Sequence, residues 1–277
     1  MRRDPHLSVM TEPGTFMKEI NPADPPAPLT DAARAEIAAL AMRQRKANGM
    51  LMTAINFVGG QVEDGLKMLP AGAKSQIDEV ARAALRQSYD LASKSRTGMG
   101  QTIGSDRLHK MMGALSGAIG GFGGLPTALA ELPVATTLIF RAVHHVAAEH
   151  GEDPEAVETR IECLAVFGAG GPGGVDDGID TAFIGARLSL SGAAVNGLIS
   201  KVAPKFAAML SQKLATQAVP LLGAAAGAGT NYAFVDYYVA MAHVHFGLRR
   251  LARIHGDAAV SDAFHAALAA AKLPSHT

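Results

Sequence analysis

The sequence predicts an all-α protein, a multi-helix bundle of about 8–10 helices with Gly- and Ala-rich central helical hairpins and no sheet. Hydrophobic residues make up 48% of the chain and come largely from Ala, Leu, Val and Met, a composition that favours helices. Apolar side chains recur at helical spacing in most segments. No segment alternates apolar and polar residues as a half-buried strand does.

The composition of the chain argues against some classes of function. Lys plus Arg and Asp plus Glu each total 25, so the net charge is zero, and we expect no nucleic-acid partner because phosphates require a basic face. Charged residues are only 18%, below the quarter typical of soluble domains. Cys163 is the only cysteine, which excludes an internal disulfide or a four-cysteine zinc site and predicts a buried thiol in a reducing compartment.

The two ends of the chain differ in composition from its middle. Residues 1–29 are rich in Pro and are predicted to be a disordered tail. Residues 30–272 are predicted to form one helical domain, and residues 273–277 a flexible C-terminus. Because no apolar run follows Arg2 and Arg3, no signal peptide is visible. We expect a cytoplasmic protein, peripheral at the inner face of the plasma membrane where it meets one.

Helix signals follow one another through the first half of the domain. The apolar pattern predicts a helix over 31–49 (capped by Thr30 or Asp31) that continues over 50–70 (interrupted near Gly59 and Gly60), and further helices over 73–95 and 106–124. In the last of these, Gly113, Gly117 and Gly121 are spaced four apart, which lets another helix backbone approach closely.

The next two helices carry clear start and stop residues. Pro126 suits the first turn of a helix, Pro133 is expected to bend it, and Gly151 suits a left-handed cap at its C-terminal end. Asp153 as N-cap and Pro154 at the first helical position then predict the start of the following helix.

The second half combines a polar loop with long apolar helices. Residues 169–180 lack the spacing of a phosphate or calcium loop and are interpreted as a solvated loop. Further helices are predicted over 180–190, 192–214, 230–255 and 259–272, with a turn at 220–229. The stretches 113–140 and 218–247 each contain a single carboxylate and are long enough to span a bilayer. Gly and Pro interrupt both, so we interpret them as core helices or membrane-contacting hairpins.

Two stretches resemble motifs of a known family. "GGLPTALAELPVATTLIFRAVHHVAAEHGEDPE" (123–155), with "TRIECLAVF" after it, resembles the central motif of the EcsC family. "AVPLLGAAAGAGTNYAFVDYYVAMAHVHFGLRRLARIHG" (218–256) resembles its C-terminal motif. The resemblance implies a helical, membrane-associated protein and carries over no catalytic residue or cofactor. The matching motif positions are Glu131, Arg141, Arg160, Glu162, Asn231, Phe234, Asp236, His245, Phe246 and Arg250.

The polar residues of these apolar helices need partners. Glu131 and Arg141 lie about 15 Å apart along one helix, so they cannot pair with each other, and a buried lone charge costs several kcal/mol. Three interpretations stay open: an interhelical salt-bridge network that fixes register, a polar pocket for a lipid headgroup or small anion, and a hydrolytic or metal site. The candidate residues for the network or pocket are Glu131, Arg141, Arg160, Glu162, Asn231, Asp236, His243, His245 and Arg250.

Patterns of known catalytic and metal sites are absent from the sequence. A di-iron bundle needs Glu-x-x-His on two helices, and zinc proteases need His-Glu-x-x-His. The Gly-x-Ser-x-Gly of serine hydrolases is also missing. His144 and His145 are neighbours and point about 100° apart on a helix, which does not suit one metal ion. We therefore predict no metal, no cofactor and no catalytic residue.

The sequence thus predicts a non-enzymatic helical protein that associates peripherally with membrane or lipid, as an accessory to a transport or secretion system. Anionic lipid or a membrane protein is the expected partner. Two alternatives stay open: a hydrolase-like enzyme or ligand-binding protein with a polar site between the 125–150 and 230–255 helices, and a soluble partner protein without lipid affinity. The candidate membrane-contacting basic residues are Arg43, Arg45, Lys46, Arg249 and Arg253.

Overall fold

The computed structural model describes residues 26–58, 72–94, 124–169, 192–217 and 223–271. Within these ranges the chain forms helices and no strand, which confirms the all-α prediction. The seven helices are α1 (Asp31–Val58), α2 (Ala73–Lys94), α3 (Gly124–Glu149), α4 (Val157–Val166), α5 (Gly192–Gln217), α6 (Gly223–His255) and α7 (Asp257–Ala270).

Helix α6 is the centre of the bundle. It packs against α1, α3, α4, α5 and α7, and most of its side chains from 234 to 252 are buried. At Gly247 the α6 backbone comes so close to α1 that an added Cβ would lie 3.0 Å from Cδ1 of Leu40. An added Cβ would therefore require the Leu40 side chain to shift, because packed interiors leave little spare volume.

An aromatic cluster fills the core between α3, α5 and α6. The Phe167 ring stacks on Tyr238 at a centroid distance of 5.1 Å and meets the edge of Phe206 at 5.1 Å. Phe140 lies on another side of Phe167, at 6.1 Å. Cys163 is also fully buried, and burial raises the pKa of its thiol well above the ordinary value. The thiol is therefore protonated and unreactive.

The helix ends confirm some predicted signals and correct others. Thr30 caps α1, since its Oγ1 accepts the Ala33 N–H at 3.1 Å, and Gly151 after α3 has the predicted left-handed conformation, with φ of +80°. Asp153 does not cap α4. Its Oδ1 instead accepts the Glu155 N–H at 2.9 Å in a turn, and α4 begins at Val157, three residues after Pro154, the predicted first helical position.

Helix α1 runs unbroken from Asp31 to Val58, as expected for a 31–49 helix that continues beyond Gly49. Helix α6 is longer than the sequence predicts, because it begins at Gly223, inside the predicted turn at 220–229. The start of α6 is rich in Ala, the strongest helix former, which offsets the cost of isolated Gly residues.

The structure describes only part of the segments that the sequence analysis predicted. Most of the chain lies outside the described residues in four of these segments, 50–70, 106–124, 169–180 and 180–190. Among the helices that are described, none combines the length and apolar character needed to cross a bilayer.

The last residues of the predicted disordered tail are in fact ordered. The Ala27 N–H donates to the Ile254 carbonyl at 3.0 Å, and Nδ1 of the His255 imidazole lies 3.0 Å from the Ala27 carbonyl oxygen. Residues 26–30 therefore lie against the C-terminal end of α6, because its last carbonyls need partners outside the helix. Residues 1–25 and 272–277 lie outside the described part of the chain.

Candidate functional site

The first polar cluster joins three helices in the interior. Lys213 on α5 donates through Nζ to Oδ1 of Asn231 on α6, at 2.6 Å. Asn231 in turn donates through Nδ2 to Oε1 of Glu131 on α3, at 3.2 Å. The Lys213 ammonium and the Glu131 carboxylate lie 3.8 Å apart, with side chains only 2% and 8% exposed. We call Glu131, Lys213 and Asn231 the lysine network.

The sequence analysis identified Glu131 and Asn231 but missed their cation. Lys213 follows Phe206, Met209 and Leu210 at helical spacing, on the buried side of α5, and this placement is the signal that could have revealed it. Burial lowers the pKa of Lys213, and the Glu131 carboxylate partly offsets that effect. The carboxylate therefore helps to keep a buried ammonium charged.

The second polar cluster joins α4, α6 and the loop before α4. Glu162 accepts from both sides: its Oε2 lies 2.8 Å from Nε2 of His245, and its Oε1 accepts from Arg249 at 2.8 Å. Oε1 of Glu152 lies 3.3 Å from Nε of Arg249 and 2.7 Å from Nη1 of Arg253. We call these five residues the arginine network. Glu162 and His245 are fully buried.

The arginine network includes two of the basic residues predicted to contact a membrane. Arg249 was predicted among the membrane-contacting cations, but it is held between two carboxylates and its side chain is only one-fifth exposed. Arg253 keeps a more exposed side chain and also pairs with Glu152. The carboxylate that binds both, Glu152, was not among the predicted residues, because a loop position gives no helical periodicity.

A pair of histidines connects the end of α3 to α6. Nε2 of His150 lies 3.2 Å from Nδ1 of His243, so one ring donates to the other and at least one of the two must be neutral. Burial lowers the pKa of His150, and the nearby Arg250 and Arg43 lower it further. Burial also lowers the pKa of His144, whose Nε2 lies 2.8 Å from the Pro154 carbonyl.

The other predicted polar residues are spread over the bundle. Arg250 pairs with Glu36 of α1. The Arg160 guanidinium lies 5.4 Å from the centre of the Tyr89 ring, a cation–π contact between α4 and α2. Asp236 is half-buried on α6, and Arg141 is exposed on α3. The predicted set thus separates into two buried networks and several single contacts.

The outer face of α1 combines apolar and basic side chains. Met42, Met50 and Met52 are 58%, 45% and 39% exposed. Arg43 and Lys46 are exposed between them, and Arg45 is half-buried. No acidic residue occurs from 37 to 58. We call this surface, made of Met42, Arg43, Lys46, Met50 and Met52, the methionine face.

A scan against protein-family models matches residues 35–251 to the EcsC protein family. The chain belongs to the EcsC family. No match was found among curated proteins or among solved structures. The EcsC region contains the whole lysine network, the methionine face and all of the arginine network except Arg253.

The geometry limits the chemistry of this EcsC domain. In the described ranges, no group of three or more His, Cys, Asp or Glu side chains is placed to hold a metal ion. Glu131 and Glu162 each contact cationic or amide groups of the protein itself. The two networks therefore join helices, while the methionine face presents its side chains outward.

Proposed function

We propose that this EcsC-family protein associates peripherally with anionic membrane surfaces through the methionine face of α1. The observation that carries the proposal is the arrangement of exposed Met and basic side chains on the outer half of α1, in a stretch without acidic residues from 37 to 58. Amphipathic helices that lie in a membrane interface combine the same two ingredients. We further propose that the bound protein serves as a non-enzymatic accessory to a transport or secretion system.

The apolar part of the face has a geometry that suits a bilayer. Met42, Lys46 and Met50 follow at four-residue spacing, so they form one row along the helix. Methionine is unbranched and flexible and adapts to an irregular apolar environment. Entry of the thioethers into the outer part of the acyl region would remove from water the apolar area that the folded protein now exposes.

The basic residues of the methionine face determine which kind of membrane surface it would bind. Arg43 and Lys46 are exposed, and no acidic residue follows Glu36 on α1. Glu36, the last acidic residue before the face, is occupied by Arg250. Each Lys or Arg near an anionic leaflet contributes about 1 kcal/mol of binding. A negatively charged lipid surface is therefore the partner that complements this face.

The buried networks support a non-enzymatic role. The carboxylates that would be the natural acids or bases of a site, Glu131 and Glu162, are bound to Lys213, Asn231, His245 and Arg249. Each network connects at least two helices and satisfies polar groups that would otherwise destabilise the core. Their contacts explain how a bundle with few charges fixes its register.

Vesicle flotation tests the proposal. The purified chain is mixed with neutral phosphatidylcholine vesicles, or with vesicles that also contain phosphatidylglycerol, at low and at moderate salt. We expect flotation with the anionic vesicles and less of it at higher salt, since salt screens surface charges. The Arg43→Gln/Lys46→Gln variant should bind about 30-fold more weakly, from about 1 kcal/mol for each cation.

The matched control removes the same charge elsewhere. Arg86 on α2 and Lys201 on α5 are exposed, so Arg86→Gln/Lys201→Gln should leave flotation unchanged. Equal loss in both double variants would mean that total charge matters and the methionine face does not. Absence of flotation for the unaltered chain would reject the membrane role.

A further inference from the structure

We infer that Met42, Met50 and Met52 form an oxidation-sensitive site, at which a hydroperoxide converts the thioethers to sulfoxides and releases α1 from an anionic membrane. The inference rests on the proposed function, because it describes how binding through the methionine face is switched off. The oxidant class is a small hydroperoxide such as hydrogen peroxide.

Exposure separates these methionines from those in the core. The three side chains on α1 are 39–58% exposed, whereas Met209 is 1% and Met241 is 0% exposed. A dissolved peroxide can reach the first group and is kept from the second by the packed interior. Met209 and Met241 therefore serve as buried controls for the exposed Met42, Met50 and Met52 in the same chain.

The only thiol of the chain does not compete for the oxidant. Cys163 is fully buried and its pKa is raised by burial and by the nearby Glu162 and Glu152 carboxylates. Peroxides react with the thiolate, which this environment disfavours. Oxidant that reaches the folded domain therefore meets the exposed thioethers first.

The chemical step balances without a cofactor. The thioether sulfur donates an electron pair to one peroxide oxygen, an S–O bond forms and the O–O bond breaks. The second oxygen takes up the proton released from the first and leaves, as water when the oxidant is hydrogen peroxide. The sulfur is oxidised by two electrons and the peroxide is reduced by two. A methionine sulfoxide reductase reverses the change.

The effect of oxidation on membrane binding follows from the row that Met42, Lys46 and Met50 form on α1. A sulfoxide is polar and accepts hydrogen bonds, so it opposes entry of the side chain into the acyl region. Met42 and Met50 flank Lys46 on one row of α1, so oxidation removes the apolar contribution and leaves the charge in place. Binding to anionic vesicles should then fall towards the weak, strongly salt-sensitive level that charge alone provides.

The experiment combines site mapping with flotation. The full chain is treated with hydrogen peroxide, and peptide mass spectrometry follows sulfoxide formation at each methionine over time. Samples from the same time course are floated with phosphatidylglycerol-containing vesicles. We expect sulfoxide at 42, 50 and 52 before 209 and 241, with loss of flotation in step and recovery after treatment with methionine sulfoxide reductases.

A resistant variant is the matched control. Met42→Leu/Met50→Leu/Met52→Leu keeps an apolar face that cannot be oxidised, and it should float before and after peroxide. Unchanged flotation of the unaltered chain despite sulfoxide at the three positions would overturn the inference, as would equal loss in the variant. If the untreated chain does not float, the proposed function fails and the inference with it. If the unaltered chain floats equally well before and after peroxide treatment, only the inference is rejected and the proposed function stands.

Discussion

The Lys213 ammonium lies 2.6 Å from the amide oxygen of Asn231 in the interior of the bundle. The same amide donates its N–H to Glu131 on a third helix at 3.2 Å. Asn231 thus connects a buried cation to a buried anion, one on α5 and one on α3. Since neither charge is stable alone in the core, the three helices are stabilised only in one relative register.

Removing the cation alone should destabilise the fold strongly. Lys213→Met keeps the length of the side chain but leaves Glu131 as a buried carboxylate without its ammonium. We expect a loss of about 3–5 kcal/mol in the free energy of unfolding, the usual cost of breaking a buried pair. Urea denaturation measures this loss. The control is Lys201→Met on the exposed side of the same helix, and a similar small effect of both substitutions would show that the network contributes little.

Removing the charge of Glu162, at the centre of the arginine network, should destabilise the fold about as strongly. Glu162→Gln removes the charge that faces His245 and Arg249, and we expect a decrease of about 3 kcal/mol or more in the free energy of unfolding. Glu158 lies one turn earlier on α4 and is exposed, so Glu158→Gln should change stability by less than about 0.5 kcal/mol. Chemical denaturation of the two variants side by side tests the difference, and an effect of Glu162→Gln no larger than the control would count against the network.

Stability should fall as the solution becomes mildly acidic. The pKa of His150 in the fold is below its ordinary value of 6.5, mainly through burial and then through Arg250; Glu149 opposes this shift, Arg43 adds to it and Glu36 opposes it least. Between that lowered pKa and 6.5, the unfolded chain binds a proton that the folded chain does not, so unfolding is favoured as pH falls through this window.

A histidine variant isolates this effect. His150→Gln should flatten the decrease in the free energy of unfolding between about pH 7.5 and pH 5.5, leaving the part that comes from His144, whose pKa is also lowered. An unchanged slope in His150→Gln would place the pH dependence elsewhere.

The fold class could be predicted from sequence because helical periodicity and helix-end residues are local signals. Thr30 and Gly151 behave as predicted, since capping depends on the residue and its immediate neighbours. Asp153 does not, because its side chain bonds in a turn before the helix begins. Helix α1 continues through Gly49 as predicted, since the cost of one Gly in a helix is about 1 kcal/mol, which packing against α6 can offset.

The candidate site could be predicted only by residue type. Glu131, Asn231, Glu162 and His245 stand out as polar residues in apolar helices, and the structure places each in a buried network. Their partners come from distant parts of the chain, and sequence spacing within one helix cannot identify them. Arg249 illustrates the limit, since only the fold shows that Glu152 and Glu162 meet it.

The most direct test of membrane contact through α1 is a single-tryptophan measurement. The chain has no Trp, so Met42→Trp places a unique fluorophore on the methionine face, and Leu91→Trp places one at a partly exposed position on α2. With phosphatidylglycerol-containing vesicles, we expect the emission of the Met42→Trp variant to shift to shorter wavelength, while that of Leu91→Trp stays constant. An unshifted spectrum at position 42, or equal shifts at both positions, would contradict docking through the methionine face.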